Sequence, residues 1–246
     1  MSFKSAVEDI LRKYPSLFRM ASRLYHKTHG SFRTLSPGAP GAIRKAFELI
    51  RERDGKVDGD YYEFGLFRGY TFLQAYNHCR EMGLKQVSFY GFDSFEGLPP
   101  AAGIDQTDGR FFEGQFACSR QEVEKSLQAE GVDLSQIALV EGFYENSLTD
   151  NLHRQYPFKP AAVVLLDCDY YSSTKTAITW LDPYLVAGTV LLFDDWFSYG
   201  ESKELGQQKA FGEYLDSHPQ LTANELWEFE NHGKGFVLVA ASPPVI

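Results

Sequence analysis

The chain has 246 residues, 43% hydrophobic and 23% charged, which fits one large α/β domain of ordinary soluble composition, with room for a helical extension. A net charge of −9 argues against a general nucleic-acid binder, which would carry a basic face. No apolar run reaches the ~18 residues of a membrane span or forms a secretory h-region, and Cys79, Cys118 and Cys168 lack paired spacing and read as free thiols, so a cytoplasmic protein with neither nucleic-acid nor membrane partner is expected.

From the N-terminus, Val7, Ile10 and Leu11, then Leu17, Met20, Ala21 and Leu24, recur at helical spacing on either side of Pro15. This basic segment predicts a helical cap over residues 1–40 that packs on the domain or on a partner subunit, and its apolar face predicts a homodimer. Residues 31–41 form a Ser/Pro/Gly-rich boundary loop. A helix over Ala42–Arg53 precedes the first strand, DYYEFG, which runs into EFGLFRGYT. Gly65 and Gly69 flank a tight turn into a helix over Thr71–Met82, a place where backbone can approach a ligand and free N–H groups face an anion. The next strand ends on Asp93, where nucleoside-binding sheets carry an acid for the ribose hydroxyls. Together the turn and the acid point to an adenosine-type ligand.

Leu98–Ser119 is too long for an ordinary connection, and its aromatics Phe111, Phe112 and Phe116 suggest a lid. Ser119 and Glu122 form a capping-box pattern at the head of a helix reaching Gly131. A strand over Ile137–Glu141 leads into EGFYENSL, which puts Gly142 and Phe143 beside an adenine. Ala161–Asp169 (AAVVLLDCD) and Gly188–Trp196 (GTVLLFDDW) are near-continuous apolar runs, each stopping on two acids, with a helix and turn between them. Such runs mark strands buried on both faces of a parallel sheet. A right-handed strand–helix–strand unit puts both strand ends on one edge. Asp167, Asp169, Asp194 and Asp195 should therefore converge where open α/β sheets bind ligands. Unpaired, they would repel and raise one another's pKa. A divalent cation answers this, and oxygen-only donors favour magnesium or calcium, with manganese a further option, over zinc. Asp169 has a second reading, as the cap of the following helix. An aromatic loop over Trp196–Gly200, a helix over Lys203–Ser217 and strands over Leu226–Glu230 and Gly235–Ala240 complete a sheet whose last strand is antiparallel.

The stretches EFGLFRG, YGFDSFEGLP, LLDCDYYSST and LLFDDW together resemble the macrocin O-methyltransferase family, bacterial enzymes that methylate sugar hydroxyls on natural products; the match runs from Gly59 to Ser217. The glycine turn is also similar to that of the magnesium-using catechol O-methyltransferases. The resemblance implies an α/β class I methyltransferase (Rossmann-like) sheet over residues 41–246 that binds S-adenosylmethionine. It implies Glu63, Gly65, Gly69 and Thr71 at the methionine end, Asp93 on the ribose, and Gly142, Phe143 and Ser147 around the adenine. Asp167, Asp194 and Asp195 would be ligands of Mg2+ (Mn2+ or Ca2+ in its stead), and Asp169 the general base. Cys168 stands where the family often has Gly, while Tyr170 and Tyr171 after the acids favour the sugar-type group over the catechol type. The implied partner is a small acceptor with a hydroxyl, a sugar first and an aromatic vicinal diol second. Three rivals compete: a metal-dependent glycosyltransferase using DCD as its DxD, an NAD-dependent oxidoreductase, which would lack its GxGxxG, and a non-catalytic binding module.

Overall fold

The structure, a computed structural model, describes residues 37–106 and 111–241. The expected N-terminal cap and the dimer contact assigned to it fall almost wholly outside these residues. Helix α1 (Ala39–Asp54) has Pro40 in its first turn, where a missing N–H costs nothing. It stops at Gly55, which takes φ 73° and donates its N–H to the Arg51 carbonyl. The stripe Ala39, Ile43, Ala46, Phe47 and Ile50 is buried.

Seven strands follow: β1 (Asp60–Phe64), β2 (Phe89–Asp93), β3 (Ile137–Glu141), β4 (Ala161–Leu166), β5 (Val190–Phe193), β6 (Leu221–Phe229) and β7 (Gly233–Ala240). They lie in the order β3-β2-β1-β4-β5-β7-β6. The first five are parallel, and β7 runs antiparallel to β5 and β6. The chain works outward from β1 to β3, then crosses back to β4, so the order reverses between β1 and β4. At such a switch point the connections leave in opposite directions and open a crevice at the carboxyl ends.

The helices between strands are α2 (Tyr70–Glu81), α3 (Arg120–Ala129), the short α4 (Tyr144–Ser147) and α5 (Leu152–Gln155), α6 (Tyr171–Leu181) and α7 (Gly206–Ser217). Every residue of β1, β4 and β5 is buried, as the apolar runs require. Alternation along β1 splits the core into two. Tyr61 packs on one face with Phe47, Phe72 and Phe89. Tyr62 and Phe64 pack on the other with Tyr90, Phe92 and Trp180, the Phe64 and Phe92 rings stacking 4.5 Å apart. Large aromatic bodies contribute most of the burial here.

One sequence expectation changes. β6 starts already at Leu221, because an edge strand with one wet side carries residues such as Thr222 and Asn224 that give no apolar signal. The last strand, β7, is antiparallel as expected and lies between β5 and β6. The 98–119 loop is pinned at its base, with Leu98 N–H donating to the Gln115 carbonyl and Gly114 N–H to the Leu98 carbonyl, both at 2.9 Å. Within it a 3-10 turn, Gly103–Asp105, presents Asp105 to the start of α6. The Asp105 carboxylate accepts the N–H groups of Tyr171 (2.8 Å) and Ser172 (3.1 Å) and is buried. The cap of α6 is therefore Asp105, 66 residues away from Tyr171 in sequence, and not Asp169.

Replacing Asp105 with Ala leaves two first-turn N–H groups without an acceptor, so Asp105→Ala should destabilise the fold by about 1–2 kcal/mol. Urea unfolding measures this; an unchanged midpoint would show that the cap contributes nothing.

Candidate active site

Across the switch point, Gly65 and the start of the acid run press on each other. Gly65 takes φ 90°, and a Cβ there would sit 1.7 Å from the Asp167 carbonyl oxygen, so only glycine fits. The turn that follows includes Phe67 in the left-handed region, φ 48°, and ends at Gly69, φ 75°, at the head of α2. Asp93 holds it from the next strand. Its Oδ2 accepts from Leu66 N–H (2.7 Å) and Phe67 N–H (3.1 Å), and its Oδ1 from Phe95 N–H (2.6 Å). The Ser94 side chain stands against the same carboxylate. Loss of solvent raises the Asp93 pKa, and the three N–H groups oppose that rise.

Glu63 lies beneath this turn. It is fully buried, with Oε1 accepting from the Thr71 hydroxyl and Oε2 from the Tyr61 hydroxyl, each at 2.5 Å. Burial pushes its pKa up to about 8, against the pull of both hydroxyls.

β4 and β5 end in register, Leu166 opposite Phe193, so Asp167 and Asp194 follow at the same level. Beyond this point the sheet bonds give way to a side chain. Gln207 of α7, 1% exposed, accepts from Asp195 N–H at 2.9 Å and donates to the Leu166 carbonyl at 3.0 Å. The Asp195 carboxylate accepts from the Ser198 hydroxyl and from Asp169 N–H, each at 3.0 Å. Asp169 takes φ 58°, a conformation that Asp tolerates better than most residues. Among the described residues no hydrogen bond reaches the carboxylates of Asp167 or Asp169. Burial first, and then the charges of Asp194, Asp195, Asp169 and Glu63, hold Asp167 well above the usual carboxylate range. Burial with Asp195 and Asp194 does the same to Asp169. Asp195 is raised by burial and relieved in part by its own donors. Cys168, between the acids, is buried against Thr174, and burial drives its thiol far up, which makes it a poor nucleophile.

A cavity of about 480 Å3 joins the two halves. Of the residues singled out in the sequence, Gly65, Thr71, Asp93, Phe143, Asp167, Asp169, Asp194 and Asp195 line it. Glu63 and Gly69 stand behind the wall, where Gly69 packs on Val123 of α3. Gly142 and Ser147 shape the adjacent turn, the Ser147 hydroxyl donating to the Gly142 carbonyl at 3.0 Å. Phe111 and Phe116 of the expected lid and Phe197 of the expected aromatic loop also line it, as do Arg68, Glu145 and His232, which were not anticipated. Glu145 could have been found from its place two residues past Phe143. His232 could not, because only the pairing of β7 with β5 brings its turn to this edge.

The donors suit a hard cation: all are oxygens, and two carboxylates lack a partner while facing like charges. As placed, no group of three or more His, Cys, Asp or Glu among the described residues is drawn together tightly enough to grip an ion. The cavity size is that of a small-molecule or cofactor site. No described helix is long and apolar enough to cross a membrane.

A family model described as Macrocin-O-methyltransferase (TylF) matches residues 42–215. Among curated proteins, the mycinamicin III 3''-O-methyltransferase of Micromonospora griseorubida is 25% identical over 188 residues, 74% of this chain and 68% of that protein. The 8-demethyl-8-(2,3-dimethoxy-alpha-L-rhamnosyl)-tetracenomycin-C 4'-O-methyltransferase of Streptomyces olivaceus is 27% identical over 145 residues, 57% of this chain. The aligned part spans about half, 54%, of the latter protein. Among solved structures, the O-methyltransferase NovP superposes with a TM-score of 0.66 at 22% identity, over 80% of this chain and 78% of that one. CalS11, a calicheamicin methyltransferase, superposes with a TM-score of 0.60 at 19% identity, over 80% and 78%. These likenesses show the class I O-methyltransferase fold.

The raised Glu63 pKa has a signed consequence. Below pH 4.5, its ordinary value, Glu63 is protonated both folded and unfolded and contributes nothing. Between pH 4.5 and about 8 only the unfolded chain ionises there, so stability falls with rising pH, by at most ~1.4 kcal/mol per unit. In the absence of divalent cations, urea midpoints should drop from pH 5 to pH 8, and drop less in Glu63→Gln, which keeps the shape and cannot ionise. Parallel pH profiles for the two proteins would mean that Glu63 titrates normally.

Proposed function

This chain belongs to the macrocin O-methyltransferase family, and we propose that it is a magnesium-dependent, S-adenosylmethionine-dependent O-methyltransferase acting on a sugar hydroxyl of a natural product. One observation carries the reading: the glycine turn with Asp93 and the four acids open into the same cavity. The tetracenomycin relative is named for a rhamnosyl-bearing compound, which supports a sugar acceptor. The family match disfavours the glycosyltransferase and oxidoreductase rivals, since neither needs this pairing of an adenosine crevice with an acid cluster.

When bound, S-adenosylmethionine supplies an electrophilic methyl on a sulfonium, and a divalent cation supplies positive charge beside the acceptor's hydroxyls. The residues present suit both in chemical kind, with a glycine turn and an acid for the nucleoside and oxygen donors for a hard cation, although as placed the acids are not drawn together around an ion. Asp93, which lines the cavity, faces the ribose hydroxyls, while Leu66 N–H and Phe67 N–H tie it to the glycine turn. Thr71, oriented by Glu63, lines the methionine end. Phe143 supplies an apolar wall for the adenine. Asp167, Asp194 and Asp195 would hold the cation, with manganese or calcium able to substitute. Asp169 keeps its carboxylate unbonded in the cavity and takes the proton of the attacking hydroxyl. An aliphatic hydroxyl is a weak nucleophile, so removing its proton and aligning it with the methyl lower the barrier together.

Calorimetry should show S-adenosylhomocysteine binding in EDTA and no binding of a nucleoside-diphosphate sugar; the reverse result would return the glycosyltransferase reading. Asp169→Asn keeps the side-chain shape and should lower turnover by roughly 10²–10⁴-fold, with no recovery on adding magnesium. Asp194→Ala should lose activity that excess magnesium partly restores, with cofactor affinity intact. Near-normal turnover in Asp169→Asn would remove it as the base.

A further inference from the structure

The peptide unit that joins Asp194 to Asp195 is the origin of two of the site's carboxylates, and it is pinned at both poles. On one side, Asp195 N–H donates to the buried Gln207 amide at 2.9 Å. On the other, the Asp194 carbonyl lies 2.6 Å from Nδ1 of His232, and the Asp194 carboxylate stands farther from the same nitrogen, at 3.9 Å. A carbonyl oxygen only accepts, so Nδ1 carries the proton and donates. His232 stands in the β6–β7 turn, which the register Phe193 opposite Lys234 delivers to the carboxyl edge of β5. Its own carbonyl accepts from Phe197 N–H at 2.8 Å. The turn from Asp194 to Phe197 is thus gripped at its first and last residues by one histidine.

We propose that His232 is a positioning residue of the active site: its Nδ1–H, opposing Gln207, locks the Asp194–Asp195 peptide plane and so sets the directions of both carboxylates toward a shared divalent cation. This rests on the reading of those acids as cation ligands. Both side chains branch from the Cα atoms that bound this peptide unit, so rotating the plane moves both carboxylates at once. Gln207 alone holds the N–H pole. Without His232, which lines the cavity, the carbonyl pole loses its donor, and the plane gains freedom to rock about the Gln207 bond. The short reach of Nδ1 from the backbone suits this task. Asparagine can place an amide N–H at a similar distance; alanine cannot.

The test compares wild type, His232→Ala and His232→Asn by calorimetric titration with Mn2+ alone, without cofactor or acceptor. His232→Ala should bind Mn2+ about 10–100-fold more weakly, the usual cost of removing a group that orients a metal ligand. His232→Asn should recover most of that loss, and S-adenosylhomocysteine should bind all three alike. If His232→Ala lowers only the unfolding midpoint and leaves Mn2+ affinity unchanged, the histidine merely supports the fold and the proposal falls. Equal losses in the alanine and asparagine proteins also overturn it, because the Nδ1–H is then not what matters. A wild-type protein that takes no Mn2+ overturns the cation reading and this proposal together.

Discussion

Repulsion among carboxylates gathered at one sheet edge is the constraint on which this structure turns. Asp167, Asp169, Asp194 and Asp195 follow the ends of two buried, in-register strands, where water is scarce and like charges raise one another's pKa. His232 Nδ1 stands 3.9 Å from an Asp194 carboxylate oxygen, a pair that is charged only when the imidazole is protonated. Among the described residues, Asp167, Asp169 and Asp195 form no ion pair with Lys or Arg. Neutral groups hold Asp195 instead: the Gln207 amide accepts its N–H, and the Ser198 hydroxyl and Asp169 N–H donate to its carboxylate. Such groups orient a carboxylate without cancelling its charge, so the negative potential stays available to an incoming cation.

The half of the cavity around Asp93 is built by a different balance. Asp93 is also taken out of water, but three backbone N–H groups converge on it. Its charge thereby organises the glycine turn. The two halves meet where Gly65 lies against the Asp167 carbonyl. A shift of the turn cannot leave the acid strand undisturbed, because there is no slack between them.

Much of this was legible in the sequence, for a physical reason. Strands buried on both faces must be continuously apolar, so acids at their ends stand out, and right-handed crossovers say which edge those ends share. The glycine turn and Asp93 were readable because backbone conformation and strand position constrain residue type. Gln207, His232 and Asp105 were not. Each acts on backbone atoms far away in the chain, and a side chain that bonds a distant carbonyl or N–H leaves no periodic pattern. The early part of β6 was missed because an edge strand need only be apolar where it touches the core. Asp169 had two sequence readings, cap or free carboxylate; the arrival of Asp105 at α6 removes the first.

That capping contact makes the 98–119 loop and helix α6 a single module. Loops that border an acceptor cavity are natural places to exchange segments between related enzymes when a new substrate is sought. Here a transplanted loop without an acid at the position of Asp105 would also strip the helix that begins two residues after Asp169. Swapping the loop together with the first turn of α6, or keeping Asp105 as a fixed point in any library, preserves the joint that such a graft would otherwise cut.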